Sequence, residues 1–63
     1  MKKSQVENFK GKTCVFDLDF MKRGVTGTLV EIDEESLTIR LRDGRLILAK
    51  LSQVNGIGET WYR

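Results

Sequence analysis

"LTIRLRDGRLIL", residues 37–48, decides how this chain folds. Leu37, Ile39 and Leu41 alternate with Thr38, Arg40 and Arg42. Period-two alternation means a strand with one dry and one wet face. Asp43-Gly44 then separates it from a second apolar run, which reads as a hairpin closed by a two-residue turn. Such a turn sets Arg42 opposite Arg45, Leu41 opposite Leu46, Arg40 opposite Ile47 and Ile39 opposite Leu48. Cross-strand partners share a side. Leu37, Ile39, Leu41, Leu46 and Leu48 are therefore expected inside, and Thr38, Arg40, Arg42, Arg45, Ile47 and Ala49 outside. The return strand is apolar on both faces, so its outer residues need a cover. Arginine methylenes and an N-terminal helix are one candidate, and a neighbouring subunit is the other.

Moving upstream, "VTGTLVEI" (25–32) is rich in β-branched residues and holds Gly27 at a position where a strand bends or another backbone comes close. Its apolar parity changes between Leu29 and Val30, which predicts strong curvature. "TCVFDLDF" (13–20) puts Cys14, Phe16, Leu18 and Phe20 on one face and Asp17 and Asp19 on the other. "MKRG" (21–24) and "DEES" (33–36) read as turns. A helix over about 4–10 is expected, with Ser4 as cap, Glu7 at the capping-box spacing and Gly11 ending it in the left-handed conformation. It is too short to stand alone, so Val6 and Phe9 must pack on the sheet. Downstream, Val54 and Ile57 mark a final short strand. The expectation is a mostly β domain over 1–63: a short helix, then five antiparallel strands over about 12–60 that curl into a small barrel. SH3-like and OB barrels both fit.

A chain of 63 residues buries a modest share of its surface. Cys14 is its one cysteine and histidine is absent, so neither an internal disulfide nor a zinc site can supply the missing stability. Oligomerisation is the remaining route. Without histidine, and with Cys14 on the dry face, general acid–base or thiol chemistry is not expected, nor is any metal or cofactor. No apolar run is long enough for a membrane span or a signal peptide, and the lone thiol suits a reducing compartment, so a cytoplasmic protein is expected. Net charge is +2, too mild to demand nucleic acid. Its distribution is uneven: Lys2, Lys3, Lys10 and Lys12 at the start, Glu31, Asp33, Glu34 and Glu35 in one turn, and Arg40, Arg42 and Arg45 at the hairpin tip.

The string from Gly11 to Ile57 resembles an Sm-like protein. The first motif of that family sets a glycine in strand 2, a large apolar residue two positions later and an aspartate six after the glycine, matched here by Gly27, Leu29 and Asp33. The second motif, an apolar residue, a basic one and a glycine, is matched by Val54, Asn55 and Gly56, with Ile57 following and Asn55 in the basic place. The base-holding asparagine after the aspartate is missing from Glu34-Glu35-Ser36-Leu37. Of the bacterial branch's Tyr-Lys-His stretch only Lys50 is present. The resemblance implies an SH3-like barrel with an N-terminal helix, rings built by pairing strand 4 with the next subunit's strand 5, and RNA binding. An S1-type OB barrel is the rival likeness, over "VTGTLVEIDEESLTIRLRDGRLILAKLS".

These readings give a set of expectations. RNA or a nucleotide is expected at Arg40, Arg42, Arg45, Lys50 and Asn55, because guanidinium forks suit phosphates. A homo-oligomer interface is expected at Ile47, Ala49 and Leu51. Trp61 and Tyr62 are candidates for base stacking. The alternatives are a protein-interaction module of SH3-like type without a nucleic-acid role and an OB-type RNA binder.

Overall fold

The computed structural model describes residues 1–59. Helix α1 (Lys3–Val6) runs into a 3-10 turn, Glu7–Phe9. The strands follow: β1 (Thr13–Leu18), β2 (Val25–Ile32), β3 (Ser36–Leu41), β4 (Leu46–Lys50), then a second 3-10 turn, Leu51–Gln53, and β5 (Val54–Glu59). All pairings are antiparallel, in one five-stranded sheet ordered β4-β3-β2-β1-β5. The expected mostly β architecture with a short N-terminal helix is therefore present, and β4 and β5 are its two edges. Trp61 and Tyr62 lie outside the described residues.

The helix begins earlier than its sequence signals suggest. Lys2, not Ser4, occupies the cap, and its amide donates to Gln5 Oε1 at 2.8 Å. Gly11 does adopt a positive φ, +82°, where a Cβ is disfavoured. Its amide donates to the Leu29 carbonyl at 2.7 Å, which turns the chain into β1 alongside β2. Val6 is fully buried and Phe9 packs partly against the core.

One core gathers residues from every strand: Cys14, Phe16 and Leu18 from β1, Val25 and Leu29 from β2, Leu37 and Ile39 from β3, Ala49 from β4 and Val54 from β5, closed by Val6 and Leu51. In β1 burial alternates strictly, as its sequence demands. Phe20 leaves the pattern. The chain turns after Leu18, with the Met21 amide on the Leu18 carbonyl at 3.1 Å, and Phe20 stays 48% exposed.

Gly27 sits where β2 passes close to β3. A Cβ there would lie 2.6 Å from Ile39 Cγ2 and 2.7 Å from the Arg40 carbonyl oxygen, inside any allowed contact. The parity change lies just beyond: Leu29 pairs with Ile39 and Glu31 with Thr38, leaving Val30 as the extra residue of a β-bulge. A bulge raises twist and bends the strand, which turns Ile32 back towards the core side.

The β3–β4 hairpin corrects the expected register. Arg40 faces Leu46, Ile39 faces Ile47, Thr38 faces Leu48 and Leu37 faces Ala49. The loop is Arg42–Asp43–Gly44: the Gly44 amide donates to the Leu41 carbonyl at 3.0 Å, and the Leu41 amide to the Arg45 carbonyl at 2.8 Å. Only Gly44 has positive φ, +92°, whereas a two-residue I′ turn needs it at Asp43 as well. One added loop residue exchanges the faces of β4. Ala49 is buried and Ile47 half-buried on the core side, while Leu46 and Leu48 are 64% and 68% exposed. The outward placement of Ile47 and Ala49 is thus corrected: Ile47, Ala49 and Leu51, the residues expected at an interface, all pack into or against this chain's own core.

Candidate nucleic-acid interface and the two sheet edges

Of the expected binding residues, three converge on one end of the hairpin. Arg40 projects from the outer face of β3, across from Leu46 on β4 and Thr28 on β2. Arg42 is the first residue of the loop and Arg45 the residue after it, both exposed. They are not directly opposite each other, because the three-residue loop sets Arg45 against Leu41. Asp43 engages Arg45 twice: its Oδ1 accepts from the Arg45 amide at 3.0 Å and its Oδ2 from Nε at 2.6 Å. The amide hydrogen bond from Arg45 is the main cause that holds the Asp43 carboxyl below its ordinary range; desolvation opposes it, and the Arg45 guanidinium adds to the lowering. The tip therefore carries three guanidinium groups and one carboxylate already engaged by one of them.

Lys50 lies at the far end of β4, away from that cluster. Its amide donates to Gln53 Oε1 at 3.1 Å, and the next residue, Leu51, donates to the Glu35 carbonyl at 2.8 Å. Lys50 lines a shallow groove with Lys2, Lys3, Glu34, Glu35 and Ser52. Lys3 Nζ and Glu34 Oε1 form an exposed ion pair there at 3.2 Å. Mixed charge makes this groove a poorer anion site than the hairpin tip.

Asn55 is further still, on the opposite edge strand. Between the pairs Asp17–Gly56 and Leu18–Val54 it is the extra residue of a second bulge, and its Nδ2 donates to Asp19 Oδ1 at 2.6 Å. Asn55 thus holds the segment after β1. Sequence reasoning missed this because a bulge on β5 leaves no compositional trace beyond its glycines. It also missed the outer face of β4, where Leu46 and Leu48 stand beside Arg40 and Thr38.

The two edges differ in chemistry. Edge β4 is apolar and basic: Leu46 and Leu48 face outward, with Arg45 before them and Lys50 after. Edge β5 carries Gly56 and Gly58, where an added Cβ would meet nothing closer than 4.0 Å. Asp17, Asp19 and Glu59 surround that edge, with Glu59 at 3.3 Å from Lys12 Nζ. Cys14 is buried behind this edge, where desolvation and Glu59 raise its thiol pKa, partly offset by Lys12, so the thiol is a core group. Among the described residues no cluster of three or more His, Cys, Asp or Glu could hold a metal, and no helix is long and apolar enough to cross a membrane.

Comparison with family models, with curated proteins and with solved structures gives no match for this chain.

Proposed function

We propose that this chain is a non-catalytic, cytoplasmic small barrel of the SH3-like, Sm-like kind, which joins copies of itself edge to edge and binds RNA through its basic hairpin. The observation that carries the proposal is the outer face of β4. Two leucines more than 60% exposed stand on an edge strand, with arginines at one end and a lysine at the other. An apolar edge strand without proline or bulge is a template for another strand. The β5 edge of a second copy is of complementary character: Gly56 and Gly58 leave room for large side chains, and Asp17, Asp19 and Glu59 lie nearby. Such a contact is head-to-tail, and its repetition gives a ring when the rotation between neighbours closes and an open filament when it does not; we propose the ring, which leaves no edge exposed. Arg40, Arg42 and Arg45 would then recur around one axis, building a field that a single chain of net charge +2 lacks. The core shared by all five strands supports curling of the sheet into a barrel.

The test joins light scattering with fluorescence anisotropy on short RNAs at two salt concentrations. Assembly at tens of micromolar, with RNA affinity falling steeply as salt rises, is the expected result. A monomer would remove the ring, and failure to bind any RNA at low salt would remove the RNA reading. A second reading, an SH3-like protein-interaction module, uses Leu46 and Leu48 against a different protein. It becomes the better account when the chain is monomeric and indifferent to RNA.

A further inference from the structure

Residues 20–23, between β1 and β2, belong neither to the hairpin tip nor to the two sheet edges. Residues 20–23 read Phe-Met-Lys-Arg, and all four side chains are exposed, Phe20 at 48% and Met21 at 39%. Phe20 is the exposed aromatic among the described residues: Phe16 is fully buried and Phe9 partly so. A large aromatic left in solvent at a turn contributes little to folding. The base of the segment is nevertheless fixed. The Asp19 amide donates to the Gln53 carbonyl at 2.9 Å, its carboxylate accepts from Asn55 at 2.6 Å, and the Met21 amide closes a turn onto Leu18. Gly24 then returns the chain beside Val15, where a Cβ would come within 2.9 Å of Val15 Cγ1. An apolar ring on an anchored turn, with an ammonium and a guanidinium two and three residues on, matches the two parts of a nucleotide. The ring offers a π face to a base, and the cations meet the flanking phosphates.

We infer that the β1–β2 segment is a single-stranded RNA contact, with Phe20 as a stacking platform and Lys22 and Arg23 as its phosphate partners. The inference rests on the RNA reading above and assigns it a second, base-facing site away from the hairpin. Asp17 and Asp19 lie immediately upstream and offset the two cations, so stacking, not net charge, carries this site. Phe20 is outside the buried core, so Phe20→Ala should keep the parent's circular dichroism, which is measured alongside binding.

The experiment measures binding of a short oligouridylate and of the same oligomer with abasic positions, using the full chain, Phe20→Ala and Phe20→Tyr. Phe20→Ala should weaken the oligouridylate by about tenfold, the scale of one lost stack, with the ratio little changed by salt. Phe20→Tyr should bind as the parent does, and on the abasic oligomer all three should converge, since base and ring then have nothing to exchange. Equal oligouridylate binding by the parent and Phe20→Ala, with the salt-sensitive hairpin effect intact, would overturn the segment's role and leave the RNA reading standing. A parent that binds no RNA would overturn both. Loss of binding to anionic phospholipid vesicles in Phe20→Ala, without loss on RNA, would reassign the segment to a membrane surface.

Discussion

The Leu41 amide and the Arg45 carbonyl meet at 2.8 Å, and this single hydrogen bond sets the register of the β3–β4 hairpin. It closes a loop of Arg42, Asp43 and Gly44, with Gly44 alone in the left-handed region. An alanine there meets no neighbour but must adopt that φ. Gly44→Ala should cost about 1–2 kcal/mol, and Gly44→Asn less, because asparagine tolerates the conformation. Urea unfolding of the three proteins checks the order.

Ile39 is fully buried and Leu48 is 68% exposed, although both belong to the same alternating pattern. Ile39→Ala should cost about 2–5 kcal/mol, a large share of a small domain's stability. Leu48→Ser should melt within a few degrees of the parent while lowering the mass seen by light scattering. Equal destabilisation by the two would show that β4 is in the other register.

Gly27→Val should fail to fold. Its Cβ would meet both the Ile39 side chain and the Arg40 carbonyl, and backbone cannot yield as a flexible side chain can. A soluble Gly27→Val protein with native circular dichroism would mean that β2 and β3 are further apart than described.

Asp43 links the hairpin's shape to its charge. Asp43→Asn keeps an acceptor for the Arg45 amide but removes the negative charge beside the guanidinium. RNA affinity should rise and its salt dependence should steepen. The carboxyl is held low in the folded state, so its contribution is present above the ordinary aspartate range. That contribution fades as acid titrates through the lowered value, and Asp43→Asn should flatten this part of the stability–pH profile.

Replacing Arg42 and Arg45 together with glutamine should weaken all RNA sequences alike and reduce the salt slope, as expected of phosphate contacts. Anisotropy with U-rich, A-rich and mixed RNAs separates this outcome from a change in preference.

Much of the fold was legible because burial follows alternation. Cys14, Phe16, Leu18, Leu29, Leu37 and Ile39 are buried as their parity requires, and Gly27 stands at a close approach. What escaped depends on single backbone decisions. Asp-Gly serves a two-residue or a three-residue loop, and the choice rests on whether Asp43 takes positive φ. Here its side chain caps the Arg45 amide instead, and Leu46 and Leu48, expected inside, face out. Leu41, also expected inside, is only partly buried at the hairpin end. Phe20 reads as a core residue until the chain turns after Leu18. The basic cluster at Arg40, Arg42 and Arg45 was visible in sequence. Lys50 and Asn55 were grouped with it by family likeness, and the sheet carries them to its far end and its other edge.

Because the two edges of the sheet are unlike, a contact of β4 with the β5 of another copy has a direction. A copy with a spoiled β4 keeps an intact β5, so it can still receive a neighbour while offering nothing onward. Leu46→Lys/Leu48→Lys chains mixed with the parent would act as terminators, and a minority of them would disable most assemblies, since each needs every member whole. A matching change on β5, such as Gly58→Lys, would terminate from the opposite side. The two variants mixed together would still share one compatible junction and stop at pairs.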